Sequence, residues 1–427
     1  MKEKELQETG KPVQKFILIA AESEGAPITA EASLQELREL LYTAGGEWAG
    51  QVIQKRENPH PRTYLGMGKV EELQQLIEET GADGVIADDE LTPAQLKGLS
   101  DLLPVKVLDR TLLILDIFTQ RAVTREGMMQ VELAQLNYRL TRLTGLGTEL
   151  SRQGGSVGGV HSRGAGESKL ELDRRYIRRR IDQLNRQLKD LEQQRKLLRG
   201  RREQSGIPVA ALVGYTNAGK STLFNRLTQA GVLEEDKLFA TLDTTLRRCV
   251  LPGGREVLLS DTVGFIHKLP HHLVKAFRAT LEEASYADIL IHVVDDSDPN
   301  AAMQTQVAYE TLQELKAADK PILTVLNKQD VRDPSLMAWP LPYQAESVLR
   351  VSAFRAEDRE KILEALEQIL RRQEREMKLL IPYDRGDLTD RLRRSGRILE
   401  EEYRETGVYL RILLKERYAE QVKEYEQ

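Results

Sequence analysis

A lysine and a hydroxyl placed after two glycines at fixed spacing can hold a polyphosphate. Gly214, Tyr215, Thr216, Asn217, Ala218, Gly219, Lys220 and Ser221 fit the pattern G-x-x-x-x-G-K-[ST]. The glycines let the backbone close around an anion, Lys220 reaches the β- and γ-phosphates, and the Ser221 hydroxyl is a Mg²⁺ ligand. The apolar run 209–213 reads as a buried strand. Ser221, Thr222 and Leu223 open an amphipathic helix whose N-terminus favours negative charge. Asp261, Thr262, Val263 and Gly264 follow the apolar run 257–259 and fit D-x-x-G, in which the carboxylate holds Mg²⁺ through water and the glycine N–H senses the γ-phosphate. Asn327, Lys328, Gln329 and Asp330 follow the apolar run 322–326 and fit N-K-x-D. The Asp330 carboxylate would accept from guanine N1–H and N2–H; adenine would leave it unpaired, and sites of that kind discriminate strongly. Val351, Ser352 and Ala353 complete a base pocket, with the Ala353 N–H directed at guanine O6. Four such elements in this order predict hydrolysis of GTP, with Mg²⁺ as its companion ion.

The segment that closes over the phosphates is read from Phe239, Ala240, Thr241, Leu242 and Asp243, which resemble switch I of the Obg-like GTPases. Thr241 is chosen as the threonine that joins Ser221 on Mg²⁺, with Thr245 as the alternative. Lys220, Thr241, Asp261 and Gly264 are therefore the groups expected to act on the phosphates. Ras-like enzymes place a glutamine after D-x-x-G to orient the attacking water. Here the residue is Phe265, which cannot hydrogen-bond water, so slow hydrolysis without a partner is expected. Asn217 has two readings: an ordinary loop asparagine, or the residue type that certain GTPases use to hold K⁺ beside the phosphates. His267, His271 and His272 read as switch II surface and not as metal ligands, because no carboxylate or cysteine joins them at ligand spacing.

These residues need scaffolds, and the 427-residue length allows two to four domains. Strand–helix alternation over residues 1–125 predicts a parallel α/β domain, with strands near 16–20, 52–53, 83–87 and 105–108 and helices near 32–43, 70–79 and 93–102. Within it, the run from Tyr64 to Val70 places two glycines and Lys69 before a helix. It reads as a tight turn with a solvated lysine or as a phosphate holder; without a following Ser or Thr it is not a second loop of the Lys220 type. Residues 126–206 read as an antiparallel helical hairpin with a glycine-rich tip. Leu170, Ile177, Ile181, Leu184, Leu188, Leu191 and Leu198 give residues 168–202 a heptad seam. The opposite face is basic, with Arg174, Arg175, Arg178, Arg179, Arg180, Arg186, Lys189, Arg195, Lys196, Arg199, Arg201 and Arg202. It is either a solvated helix with internal ion pairs or a surface for RNA phosphates. The tip carries Arg152, His161, Arg163 and Lys169 and suits insertion into folded RNA. Residues 207–375 form the nucleotide domain, a doubly wound and mostly parallel sheet. Residues 376–427 form a small α+β segment with a helix near 388–394, a strand near 407–413 and a charged terminal helix.

The net charge of −5 does not announce a nucleic-acid binder, although local charge can differ. A single cysteine, Cys249, rules out an intramolecular disulfide and reads as a small apolar strand residue. No apolar run approaches the ~18 residues of a membrane span, and the opening Met-Lys-Glu-Lys-Glu-Leu is not a secretory signal. A cytoplasmic, monomeric protein is expected.

Longer matches extend across the chain: residues 63–73, Asp109-Arg110, 115–118, 120–122, 130–136, Arg163-Gly-Ala-Gly-Glu167 with Leu170-Glu171, 214–221, 239–243 and 261–265. On these the chain resembles the HflX GTPases over nearly its full length. It departs from their usual pattern at the glycine-rich tip, residues 160–169, and at Thr244, where a proline is common. The resemblance implies a ribosome-associated GTPase that binds the large subunit, is stimulated by it, and separates stalled or hibernating ribosomes. In some members it also implies ATP binding by the N-terminal domain, for which residues 1–125 carry no legible motif. Two other functions fit the residues: a nucleotide-gated scaffold for protein partners, and a helper GTPase for an RNA-modifying enzyme.

Overall fold

A computed structural model describes residues 13–23, 28–153, 165–204, 206–228, 238–239, 245–268, 270, 283–336, 339–340 and 344–427, without the side chains of 144–153, 165–170, 201–204, 394–395 and 416–417. The chain divides into two compact units. One comprises residues 1–185 with 268–276, the other 186–267 with 277–427.

In the first unit, β1 (Lys15–Glu22), β2 (Glu47–Lys55), β3 (Gly84–Ala87) and β4 (Lys106–Asp109) form a parallel sheet in the order β2-β1-β3-β4. Helices α1 (Ala30–Thr43), α2 (Met67–Thr80) and α3 (Pro93–Leu102) connect the strands. Their ends follow local chemistry. Thr92 caps α3 in a reciprocal box with Gln95, with Pro93 at the first turn. Gly81 ends α2 in the left-handed conformation, φ 63°. Ile17, Ile19, Val85 and Ala87 meet Val70, Leu73 and Leu99 in the core. Each fully buried aliphatic side chain of this kind contributes roughly 1.5–3 kcal/mol. The run 64–70 turns into α2: Tyr64 has φ 62° and pairs with His60, Gly66 precedes the helix, and Lys69 in its first turn bonds Glu72 at 2.7 Å. Helix α4 (Arg110–Arg121), absent from the sequence reading, begins where the Asp109 carboxylate caps the Leu112 N–H at 2.9 Å.

Helices α5 (Arg125–Gln153) and α6 (Ala165–Gln204) are the two long helices expected. Arg180 of α6 forks onto Glu132 of α5 at 2.6 and 2.8 Å, and Arg174 donates to the Leu143 carbonyl. The sequence separation shrinks toward the tip, so the pair is antiparallel. Ile177 and Leu184 are buried as the seam requires. Three expectations are corrected. Leu198 is not a seam residue but 56% exposed. Arg174 and Arg180 face α5 instead of solvent. Arg199 is buried: it pairs with Glu283 at 2.6 Å and stacks on Tyr286, because a desolvated guanidinium requires a partner. Arg152, His161, Arg163 and Lys169 lie outside the described side chains.

The second unit holds β5 (Val209–Gly214), β6 (Thr245–Val250), β7 (Glu256–Asp261), β8 (Ile289–Asp295), β9 (Ile322–Asn327) and β10 (Ala345–Arg350) in the order β10-β9-β8-β5-β7-β6. All neighbours are parallel except β6 with β7. Helix α7 (Lys220–Thr228) packs on one face with α9 (Ala356–Arg372), and α8 (Ala301–Glu314) contacts β5 and β8. Cys249 is a buried strand residue, its thiol pushed up by burial. The C-terminal part is an antiparallel sheet of β11 (Glu374–Ile381), β13 (Gly407–Lys415) and β12 (Arg397–Arg404) with helix α10 (Gly386–Ser395). Its first strand starts at Glu374, so the boundary expected at 375/376 falls inside a strand. The charged terminal helix is only Glu416–Ala419, followed by a 3₁₀ turn, Glu420–Tyr425. No described helix is long and apolar enough to cross a membrane.

Candidate functional site

Ligand sites in open α/β sheets lie beyond the carboxyl ends of the strands, and the candidate residues fall there, at the ends of β5, β7 and β9. Gly214 ends β5 with φ 142°, and a Cβ on it would stand 2.2 Å from the Val293 carbonyl oxygen. Tyr215 and Ala218 are buried. Gly219 has φ 92°, and a Cβ there would meet the Asn327 amide nitrogen at 2.4 Å. Both positions exclude side chains, as a loop wrapped closely about an anion requires. Lys220 starts α7, is buried, and donates from Nζ to the Tyr215 carbonyl at 2.7 Å. Burial pushes its ammonium down to about 8, and the charge of Asp261 opposes this. The buried Thr216 hydroxyl has no hydrogen-bond partner among the described residues. Thr222, half-buried, lies in the first turn of α7.

Asn217 has φ 60°, a left-handed conformation that asparagine tolerates better than most residues. This supplies a backbone reason for an asparagine there, independent of any ion.

Asp261 ends β7 fully buried, and the Ser221 hydroxyl donates to its Oδ2 at 2.9 Å. A hydroxyl and a carboxylate brought together are hard oxygen donors of the kind Mg²⁺ takes, so these two residues fit that ion. A Cβ on Gly264 would stand 2.8 Å from Lys220 Nζ and from Thr216 Cα. Glycine is therefore required where this turn faces the phosphate loop. The Thr262 side chain is not available to a ligand: its hydroxyl donates to the Leu212 carbonyl at 2.5 Å. Val263 is buried. Phe265 is 2% exposed and strand-like, its N–H on the Gly214 carbonyl at 3.0 Å and its carbonyl on the Thr216 N–H at 2.8 Å. His267 is half-buried, not surface, and its N–H donates to the Tyr215 hydroxyl at 2.7 Å. Of switch I, Phe239 is buried with φ 55°, whereas Ala240, Thr241, Leu242 and Asp243 lie outside the described residues, as do His271 and His272. Thr245 is the first residue of β6, opposite Asp261.

The base-reading elements are stitched to the phosphate loop by one side chain. Asn327 Nδ2 donates to the Ala218 carbonyl at 3.0 Å, and its Oδ1 accepts the Ala353 N–H at 3.0 Å. The Ala353 N–H, which the sequence directs at guanine O6, donates here to Asn327, since a buried amide takes an acceptor within reach. Val351 bonds the Leu326 carbonyl through its N–H, and the Ser352 N–H donates to Asp358 Oδ2 at 2.9 Å. Burial pushes the Asp358 carboxyl up, but Lys361 and the Ser352 N–H outweigh it and hold it below the usual range. The Lys328 and Gln329 side chains turn to Asp295 and Asp296, at 2.7 Å each. Asp330 is exposed and has no hydrogen-bond or ion-pair partner among the described residues. Sequence reasoning missed Asp296, whose contacts join distant segments, Asp358, which holds the Ser352 N–H six residues back, and His292. His292 is buried in β8 beneath the loop, pushed down to about 4 by desolvation and by Lys220.

Comparison with known proteins decides the family. Residues 31–119 match the family described as GTP-binding GTPase N-terminal, residues 121–202 the GTP-binding GTPase Middle Region, and residues 209–328 the 50S ribosome-binding GTPase. The "GTPase HflX" of Lacrimispora saccharolytica is 50% identical over 400 residues, covering 94% of this chain and 93% of that protein. The chain belongs to the HflX family of GTPases. The Escherichia coli "GTPase HflX" is 47% identical over 298 residues, 70% of this chain and 69% of its own length. A solved structure titled as the complex of SsGBP and GDP is 25% identical, with a TM-score of 0.46, covering 84% of this chain and 98% of that one. Family membership makes the protein a GTP-binding, GTP-hydrolysing enzyme.

Proposed function

We propose that the protein is a GTP-driven switch that binds the large ribosomal subunit and separates stalled or hibernating ribosomes. The observation that carries this reading is a run of exposed cations on α6, Arg175, Arg178, Arg179, Arg186 and Lys189, in one chain with a domain of the 50S ribosome-binding GTPase family. Such a surface suits the phosphates of a large RNA.

At the nucleotide, the backbone of 214–221 and Lys220 cradle the β- and γ-phosphates, and the Gly264 N–H meets the γ-phosphate. Asp330 accepts from guanine N1–H and N2–H, with Asn327 holding its loop to the phosphate loop. Ser221 directly, Asp261 through water and Thr241 of switch I would hold Mg²⁺, which when bound neutralises phosphate charge. Asn217 remains the residue to test for K⁺: faster turnover in KCl than in NaCl at equal ionic strength, abolished by Asn217→Ala, would support it. Phe265 offers no group to orient water, so a partner must complete the site. The protein works as a monomer in the cytoplasm.

Sedimentation of the full chain with ribosomes tests this. A non-hydrolysable GTP analogue should carry the protein into the large-subunit fraction and split 70S particles, and GDP should release it. Equal sedimentation in both nucleotides, or none, would refute the proposal.

A further inference from the structure

Among the described residues the Asp330 carboxylate has no partner, but the turn that carries it is held. Lys328 has φ 62°, and its carbonyl accepts the Val331 N–H at 3.1 Å, which closes a tight turn with Asp330 inside it. On either side of Asp330, this turn is tied to one buried carboxylate. Gln329 Nε2 donates to Asp296 Oδ2 at 2.7 Å, and Arg332 Nε lies 3.0 Å from the same oxygen. Trp339 Nε1 donates to Asp296 Oδ1 at 3.1 Å, and its ring packs against Val294, Ala301 and Leu326. Asp296 is 4% exposed, and its own N–H continues the sheet onto the Asn327 carbonyl. A buried carboxylate is costly unless charge-assisted donors surround it. Gln329 of the base-reading turn and Trp339 of the segment after it supply the hydrogen bonds, and Arg332 adds its positive charge as an ion pair.

We infer that Asp296 is a positioning residue for guanine selection. It acts through Gln329 and Arg332, which fix the direction of the Asp330 carboxylate between them. The inference rests on the assignment of Asp330 as base reader. Guanine offers that carboxylate two donors, N1–H and the 2-amino group, and hypoxanthine only N1–H. Preference for GTP over ITP therefore depends on both Asp330 oxygens being aimed, whereas phosphate binding does not. If the anchor is lost, the turn should re-aim and that preference should contract, while the phosphate contacts survive.

The test measures GTP and ITP affinities, turnover at saturating GTP and the melting temperature for the full chain and four variants. Asp296→Asn and Gln329→Met should narrow the GTP-to-ITP ratio about three- to tenfold, the scale of one lost hydrogen bond, with turnover near the parent's. Trp339→Phe, which removes one donor farther from Asp330, should narrow it less. A merely structural Asp296 would lower the melting temperature and leave the ratio alone. Should Asp296→Asn fail to fold, Gln329→Met decides. Asp330→Asn is the control. If it switches preference to XTP while Asp296→Asn and Gln329→Met keep the parent's ratio, the positioning role is wrong and the base reader stands. If Asp330→Asn keeps the guanine preference, the base reader itself is wrong and the positioning role goes with it.

Discussion

Two parallel sheets in this molecule gather charge at their carboxyl ends, and they treat it in opposite ways. In the N-terminal unit the charges meet one another. Arg110, 1% exposed, pairs with Asp88 at 2.9 Å and with Glu36, and Asp88 also accepts the Ser33 hydroxyl at 2.7 Å. Asp109 takes the Tyr138 hydroxyl at 2.9 Å, the Leu91 N–H at 3.1 Å and Arg142 at 2.5 Å. In the nucleotide domain two groups have no partner among the described residues: the Thr216 hydroxyl, which is buried, and the Asp330 carboxylate, which faces solvent. A polar cluster that closes on itself holds a fold together. One that stays open, on a backbone wound too tightly for side chains, is built to receive something.

The comparison can be broken first at its closed side. Arg110→Ala should destabilise the first unit by about 3–5 kcal/mol, because Asp88 and Glu36 would both lose the buried guanidinium and Asp88 would keep only the Lys268 ammonium and the Ser33 hydroxyl. GTP affinity of the folded fraction should be unchanged. Denaturant unfolding with a nucleotide titration checks both, and a parent-like midpoint would show that the cluster does not hold the fold.

On the open side the signs reverse. Lys220→Ala should leave the melting temperature near the parent's while lowering turnover about 10²–10³-fold, as loss of one preorganised charge contact to a reacting group does. A large stability loss with normal turnover would move Lys220 to the closed class.

His292 sharpens the boundary between the two. It is buried neutral, with a folded pKa of about 4 below the ordinary 6.5. Its contribution is fully present above pH 6.5 and is lost as pH falls through 4, about 3 kcal/mol by pH 4. Melting curves from pH 7 to pH 4 should be flatter for His292→Asn than for the parent; parallel curves would contradict the assignment.

The smallest effect is a proton. Lys220 is pushed down to about 8 without nucleotide, and bound phosphates should restore its charge. Binding should then take up a proton at pH 8.5 but not at pH 7, with affinity falling about fourfold between them. Calorimetry in two buffers of different ionisation enthalpy measures this, and equal heats at pH 8.5 would remove it.

Sequence legibility follows the same division. The proposed site is written locally, because phosphate and guanine demand fixed residue types at fixed spacing, so Gly214 to Ser221, Asp261 to Gly264 and Asn327 to Asp330 each form a motif that can be read alone. The contacts that hold those motifs are written at a distance: Asp296 reaches Gln329 across 33 residues and Trp339 across 43. Side-chain direction is not written in a motif either: the side chains of Lys328, Gln329 and Thr262 bond to protein groups. Helix α4 does carry a local signal, Asp109 as N-cap before an apolar run. Strand β12, Arg-Ile-Leu-Glu-Glu-Glu-Tyr-Arg, gave little, because an edge strand facing water keeps its charges. The basic helix was legible as basic, but which arginines face solvent depended on Glu132 and Glu283, far away in sequence.

Phe265 is held in a strand-like bond pattern and can orient no water, so hydrolysis at the nucleotide site should depend on a partner. The most direct measurement is the single-turnover rate of GTP hydrolysis by the intact protein, alone and with purified large ribosomal subunits. The account predicts a slow basal rate raised by orders of magnitude, each tenfold corresponding to about 1.4 kcal/mol of transition-state stabilisation. The rise should weaken when Arg175, Arg178 and Arg179 are reversed to glutamate, with GTP affinity unchanged. Equal rates with and without the subunit would contradict it.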